Sequence, residues 1–213
     1  MTLPKRLFDI ALALVLGTIL FIPTVGVVLW LMRGQGGPIL YKAERMKTPA
    51  RGFLLWKFRT MATGDKEAGV TGGDKSGRIT EQGALMRRYR IDEIPQLWNV
   101  LKGDISFVGP RPPLREYVEA FPELYAQVLQ SRPGITGLAS LTYAQHEELL
   151  LSRAMSAQET DAIYRRLCVP MKAKLDLIYQ REAWLCFDIR LIWLTAGKFL
   201  PGWLANIGEL GKR

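Results

Sequence analysis

Residues 7–32 read LFDIALALVLGTILFIPTVGVVLWLM, and how this run is folded decides how the rest of the chain is arranged. Only Asp9 and the hydroxyls of Thr18 and Thr24 interrupt its apolar character. As a straight helix rising ~1.5 Å per residue it would reach past a hydrocarbon core of ~30 Å, so a spanning helix is the default reading. The run is too long for a signal peptide, and no small-residue cleavage site follows it. Two features favour a different path. Pro23 sits near the middle, where it removes a helix donor and bends the axis. Lys5 and Arg6 precede the run, and Arg33, Lys42, Arg45, Lys47 and Arg51 follow it. Positive charge marks the cytoplasmic side, so both ends read as cytoplasmic. A helix that enters the membrane, breaks at Pro23 and returns through the same leaflet satisfies both observations. Its freed carbonyl near Ile19 then needs a donor, and Thr18 or Thr24 is available. Residues 1–33 are accordingly expected to form a re-entrant hairpin, and residues 34–213 a cytoplasmic catalytic domain at the membrane interface.

The whole chain has 213 residues, enough for one compact domain with short appendages. Its 48% hydrophobic residues and a mean hydropathy of +0.04 suit a folded protein with some lipid contact, not a multi-span transporter. A net charge of +9 implies an acidic partner: nucleic acid, an anionic membrane surface or a phosphorylated small substrate. Two cysteines, Cys168 and Cys186, are too few for a disulfide framework and lack metal-ligand spacing.

Local patterns predict an α+β fold that is mostly helical with a small β element. GQGGP (34–38) is a turn-rich exit from the membrane, and residues 39–41 and 53–58 (FLLWKF) read as short strands. Residues 62–77, with five glycines, read as a mobile loop. A helix is predicted from about Thr80 to Tyr89, with Arg87 and Arg88 near its C-terminal end. Asp92 reads as an N-cap, Pro95 as first-turn proline and Gly103 as helix stop. VGPRPP (108–113) must be rigid and extended, residues 114–130 read as one amphipathic helix, and SRPGITG (131–137) as a turn. Residues 156–182 are predicted helical with a bend at Pro170. The tryptophan-rich stretch 184–200 reads either as an interfacial amphipathic helix or as a buried core helix. Trp98 reads as core, His146 as a polar surface residue, and Arg87, Arg88 and Arg90 as a solvated basic face.

An adjacent Asp-Glu pair at a helix start is usually explained by capping alone. Here Asp92 and Glu93 are accompanied by many cations between Lys57 and Arg111, several in stretches with little freedom to move. A carboxylate among phosphate-binding cations suits phosphoryl transfer, because an ionised Asp can attack phosphorus without a histidine base. That fits a chain with one histidine. A neighbouring carboxylate can hold Mg²⁺ against the charge of a pyrophosphate.

The stretch RIDEIPQLWNVLKGDISFVGPRPP (90–113) resembles the signature of the bacterial sugar transferases, the monotopic phosphoglycosyl transferase superfamily. KRLFD (5–9), WKFRTM (56–61) and RPGITG (132–137) match in the same order. The resemblance implies a re-entrant helix, consistent with the charge reading, and a small member of the family. It also implies a two-step exchange, in which Asp92 attacks the β-phosphate of a UDP-sugar, UMP leaves, and the phospho-sugar passes to undecaprenyl phosphate. By the same resemblance Glu93 is associated with Mg²⁺, and Lys57, Arg59 and Arg111 with the substrate phosphates. The implied setting is the cytoplasmic face of the bacterial inner membrane, at the start of surface-glycan assembly.

Two departures accompany the match. Ile22 stands where the family usually carries a serine before the proline. After Gly137 the usual polar stretch is replaced by LASLTYAQHEELLLSRAMSAQETDAIYRRL (138–167), so sugar identity does not carry across. A membrane-bound nucleotide-sugar binding scaffold without catalysis is the alternative from another class, and the filled motif positions oppose it. A nucleic-acid binder lacks any recognisable module. An ordinary glycosyltransferase would release UDP instead of UMP.

Overall fold

The computed structural model describes residues 1–62 and 78–198. The expected glycine-rich loop at 62–77 lies almost wholly outside these residues, as does Trp203. The chain opens with two helices, α1 (Leu3–Ile19) and α2 (Phe21–Gly34), that meet at Leu20 and are bent by 60°. Among the described residues no single helix is long and apolar enough to cross a membrane, while this bent pair passes the same test together. The break falls at Leu20 and not at Pro23, which sits in the first turn of α2. The physical reason is that proline acts four residues upstream: its ring excludes the carbonyl of Ile19 and it has no N–H to offer that carbonyl. Thr18 does not repair Ile19; its hydroxyl donates to the carbonyl of Leu14 at 2.9 Å.

Next come β1 (Leu40–Thr48) and β2 (Arg51–Phe58), an antiparallel hairpin in which Tyr41 faces Lys57 and Arg45 faces Phe53. Helix α3 (Glu81–Arg88) follows, capped by the Thr80 hydroxyl accepting from the Gly83 amide. A 3₁₀ turn (Ile91–Glu93) leads to α4 (Gln96–Lys102), and Gly103 ends that helix at φ +77°, as its sequence position suggests. Strand β3 (Ser106–Val108) pairs in parallel with β4 (Gly134–Thr136), so the predicted turn at 131–137 contains a strand. Gly109 and Gly134 make this pairing possible. A Cβ on Gly109 would strike the Arg132 carbonyl, and one on Gly134 would strike the Gly109 amide. VGPRPP and RPGITG are thus two halves of one close backbone contact.

The predicted single helix at 114–130 is two helices, α5 (Arg115–Ala120) and α6 (Pro122–Val128), because Pro122 starts a new helix at its first position. Helices α7 (Leu138–Thr142), α8 (Ala144–Leu151) and α9 (Ala157–Ile163) follow. A π-helical turn at Tyr164–Cys168 precedes α10 (Val169–Glu182), where the missing N–H of Pro170 falls. The described chain ends with α11 (Leu185–Gly197).

The β1–β2 hairpin touches three apolar clusters. Met46 joins one with Tyr117, Tyr125, Val128, Tyr164 and Val169. Leu55 joins a second with Ala13, Val100, Ile105, Phe107, Tyr179 and Leu191. Phe58 joins a third with Leu31 and Met86. Polar residues of α1 fasten it to the second cluster. Arg6 donates to the carbonyls of Val100 (2.6 Å) and Leu101 (2.7 Å), and buried Asp9 accepts from the Phe107 amide. Lys5 pairs with buried Asp188 of α11 at 2.5 Å, and Tyr179 donates to the same carboxylate. Helix α11 has two faces: Asp188 and Leu191 face the interior, while Trp184, Ile189, Trp193 and Leu194 are exposed. Trp98, expected in the core, is 56% exposed. The thiols of Cys168, buried, and Cys186, exposed, are both free.

Candidate active site

Asp92 and Glu93 do not start a helix. They lie in the 3₁₀ turn between α3 and α4, the N-cap position of α4 is Pro95, and the Asp92 side chain caps nothing. Arg90 initiates the turn at φ +57°, a left-handed conformation that costs about 1–2 kcal/mol for a non-glycine residue. The tight geometry buries both carboxylates side by side, at 6% and 8% exposure.

Three cations converge on one oxygen of Glu93. Its Oε1 accepts from Arg90 Nη1 at 2.9 Å and Lys57 Nζ at 3.2 Å, and Arg111 Nη2 lies 3.5 Å away. Burial alone would raise the Glu93 pKa, but Arg111, Lys57 and Arg90 outweigh it and hold the carboxyl down at about 2. Asp92 is treated differently. Burial raises its pKa, the Glu93 charge adds to the rise, and Lys57, Arg90 and Arg87 oppose it. Its buried Oδ1 has no hydrogen-bond partner among the described residues. Such an atom is costly unless a ligand completes it.

Each cation is placed by a separate element. Lys57 comes from β2, whose edge is held by Asn99 of α4: Asn99 Oδ1 accepts from the Trp56 amide, and its Nδ2 donates to the Leu54 carbonyl and to Asp104. Asn99 is fully buried, so its amide can satisfy a strand edge where water cannot reach. Arg111 stands on the loop after β3, whose backbone is locked to β4 by Gly134 N donating to Pro110 O at 2.8 Å and Gly109 N to Thr136 O at 2.9 Å.

Of the five residues that the sequence singled out, the structure brings four together: Asp92, Glu93, Lys57 and Arg111. Arg59 is not with them. Its guanidinium, 8% exposed, donates to the carbonyls of Gln35 (2.7 Å), Gly36 (3.1 Å) and Gly37 (3.0 Å), clamping the turn after α2. Arg90, read as part of a solvated basic face, instead closes on Glu93. Arg87 is likewise engaged, its Nε donating to Thr60 Oγ1 at 2.9 Å, while Arg88 lies over the Tyr89 ring. His146 is exposed beside Tyr143, as expected.

Sequence reasoning missed Arg45 and Gln96. Arg45 lines the small cleft that also contains Lys57, Glu93, Gln96 and Arg111, and its buried Nη1 has no partner among the described residues. Burial and the neighbouring Arg111 both lower the Arg45 pKa. The signal was weak, because an arginine in a two-stranded hairpin reads as an edge residue with its head in solvent. Among the described residues no cluster of three or more His, Cys, Asp or Glu side chains could cage a metal. The donor set that remains, Glu93 with the unpartnered Asp92 oxygen beside it, fits Mg²⁺, which usually takes one or two carboxylates together with substrate phosphates and water.

A family model described as bacterial sugar transferase matches residues 1–202. A sugar transferase of Bacillus subtilis is 40% identical over 140 residues, covering 64% of this chain and 67% of its own. The UDP-N-acetylgalactosamine-undecaprenyl-phosphate N-acetylgalactosaminephosphotransferase of Aeromonas hydrophila is 31% identical over 95% of this chain and 45% of its own length. The UDP-glucose:undecaprenyl-phosphate glucose-1-phosphate transferase of Escherichia coli is 30% identical over 91% and 39%. The chain thus spans less than half the length of these last two relatives.

Proposed function

As the chain belongs to the bacterial sugar transferase family, we propose that it moves a sugar-1-phosphate from a UDP-sugar to undecaprenyl phosphate, releasing UMP. The observation that carries this reading is the buried, unpartnered Asp92 oxygen beside a carboxylate ringed by three cations. In the first step a carboxylate oxygen of Asp92 attacks the β-phosphorus. The bond from that phosphorus to the bridging oxygen breaks, and UMP leaves with the oxygen. In the second step an oxygen of undecaprenyl phosphate attacks the same phosphorus, and the Asp92 carboxylate is released. Desolvation of Asp92 strengthens it as a nucleophile, and Lys57, Arg90 and Arg111 offset the charge that grows on the phosphate oxygens. Glu93 orients these cations, and with the substrate phosphates it would hold Mg²⁺. The ion supplies further neutralisation of the pyrophosphate when bound.

The same reading places the protein on the cytoplasmic face of a bacterial inner membrane, at the first membrane step of surface-glycan synthesis. The bent α1–α2 pair, as a re-entrant hairpin, together with the exposed apolar side chains of α11 and Trp98, supports docking on lipid. Accessible cysteines at positions 3 and 36 test this; labelling from opposite faces of the membrane would overturn it.

The decisive assay supplies UDP-sugars and undecaprenyl phosphate and identifies the nucleotide released. UMP is expected, with the mass of a sugar phosphate on Asp92 when the lipid is withheld. Release of UDP would make the chain an ordinary glycosyltransferase, and release of neither would favour a binding scaffold.

A further inference from the structure

A cavity of about 390 Å³ opens behind the Glu93 cleft, a volume within the range of about 300–1,000 Å³ usual for small-molecule sites. Arg45, Arg111 and Pro112 line both spaces, so the two adjoin. The cavity also holds a charged group that the chemistry described so far does not use. Lys172 of α10 donates to Glu147 of α8 at 2.9 and 3.2 Å and to the Tyr164 hydroxyl at 3.3 Å, and Asp176 lies one turn further along α10. Resting on the transferase reading above, we propose that this cavity receives the sugar of the UDP-sugar, and that the Glu147–Lys172 pair with Asp176 reads its hydroxyl or acylamino substituents.

Three observations support the assignment. First, the sugar is joined directly to the β-phosphate that Asp92 would attack, whereas the uridine lies one phosphate further away, and the cavity begins at the cations beside Glu93. Second, a sugar ring presents donors and acceptors together, and the cavity supplies both kinds of charged partner. A uracil edge presents one N–H donor between two carbonyl acceptors, so it offers Glu147 and Asp176 fewer donors than the several hydroxyls of a sugar. Third, Arg45 lines both spaces beside Arg111, so a cation stands next to the cavity where the phosphate that carries the sugar would lie. Burial pushes Asp176 up to about 7, so near neutral pH it can either donate or accept a hydrogen bond. Glu147 lies in the segment after Gly137 that departs from the family pattern, where a chain-specific preference would be written.

The test uses the full chain in lipid nanodiscs, with Asp92→Asn in every protein compared so that no nucleotide-sugar is consumed; wild type then refers to the Glu147–Lys172 pair. It measures equilibrium binding of UDP, UDP-glucose, UDP-galactose, UDP-N-acetylglucosamine and UDP-N-acetylgalactosamine. The exchange variant Glu147→Lys/Lys172→Glu keeps an ion pair while inverting donor and acceptor. The neutral variant Glu147→Gln/Lys172→Gln serves if the exchange fails to fold. Wild type is expected to spread the four UDP-sugars over about tenfold or more in affinity, the scale of one hydrogen bond to a charged group. In the variants that spread collapses or its order changes, while UDP affinity stays within about twofold, since a contact to the sugar is absent from UDP. An unchanged spread, no spread in wild type, or a parallel loss for UDP and all four sugars would overturn the assignment. The last outcome would give the cavity to uridine. The reaction is tested separately by UMP release: sugar discrimination that depends on the pair without any UMP release keeps the cavity assignment and refutes the transfer.

Discussion

In the cleft Glu93 is 8% exposed, and in the adjoining cavity Asp176 is 7% exposed. Both acids are equally withdrawn from water, yet they are displaced in opposite directions. Glu93 is held at about 2, because Arg111, Lys57 and Arg90 more than repay its desolvation. Asp176 is pushed up to about 7; Lys172 opposes the rise, but that amine is already engaged by Glu147. Burial sets the cost of a charge, and the uncommitted cations within reach decide whether the charge survives. Asp92 lies close to the Glu93 cations, yet burial raises its pKa.

The largest expected effect falls on Asp92. Asp92→Asn keeps the shape and removes the nucleophilic charge, so UMP release should fall by about a thousandfold or more while the protein remains folded. Near-normal UMP release from this variant would end the covalent reading. Glu93→Gln should lower stability at pH 7 by about 3 kcal/mol, because Lys57 loses its counter-charge in a largely buried setting. The pH profile carries the sign. A folded pKa below the unfolded value of 4.5 means that the stabilisation is present above pH 4.5 and is lost as pH falls towards 2. Chemical unfolding of wild type and variant should therefore converge in that acid window.

Asp176→Asn should do the reverse and stabilise. A folded pKa raised above 3.8 gives a contribution that is intact below pH 3.8 and lost as pH rises through about 7. The variant should thus gain about 1–3 kcal/mol near pH 8, by escaping the cost of a buried charge, and match wild type near pH 4. If the gain is independent of pH, the two acids are not the opposites described. The smallest effect separates two arginines that the sequence treats alike. Arg111→Gln should weaken UDP binding by about tenfold, as loss of one charge-assisted contact does. Arg59→Gln should change UDP affinity less and instead cost about 1–3 kcal/mol of stability, because three carbonyls of the 35–37 turn lose a buried donor.

Chain-local chemistry made much of this legible beforehand. Gly103 stops a helix because its φ is left-handed, Thr80 caps one because its hydroxyl reaches an amide three residues on, and Pro23 breaks one because it lacks a proton. The ordered motifs around Asp92 and Glu93 were readable for the same reason, since order and spacing are properties of the chain itself. The misplacements also have local causes. Pro122 starts a second helix inside an amphipathic pattern whose periodicity continues across it. Trp98 follows a helical period but faces outward, because periodicity shows that a face exists and not what covers it.

By itself, then, the sequence determined several of the helices and the second strand, the break in the apolar run, and the candidacy of Asp92, Glu93, Lys57 and Arg111. Tertiary structure alone decided which cations serve which acid. It drew Arg90 onto Glu93, spent Arg59 on a backbone turn, left Arg45 Nη1 without a partner among the described residues, and set Glu147 against Lys172 across 25 positions of chain. The reason is that side-chain electrostatics fall off over a few ångströms of space, while a sequence records only distance along the backbone.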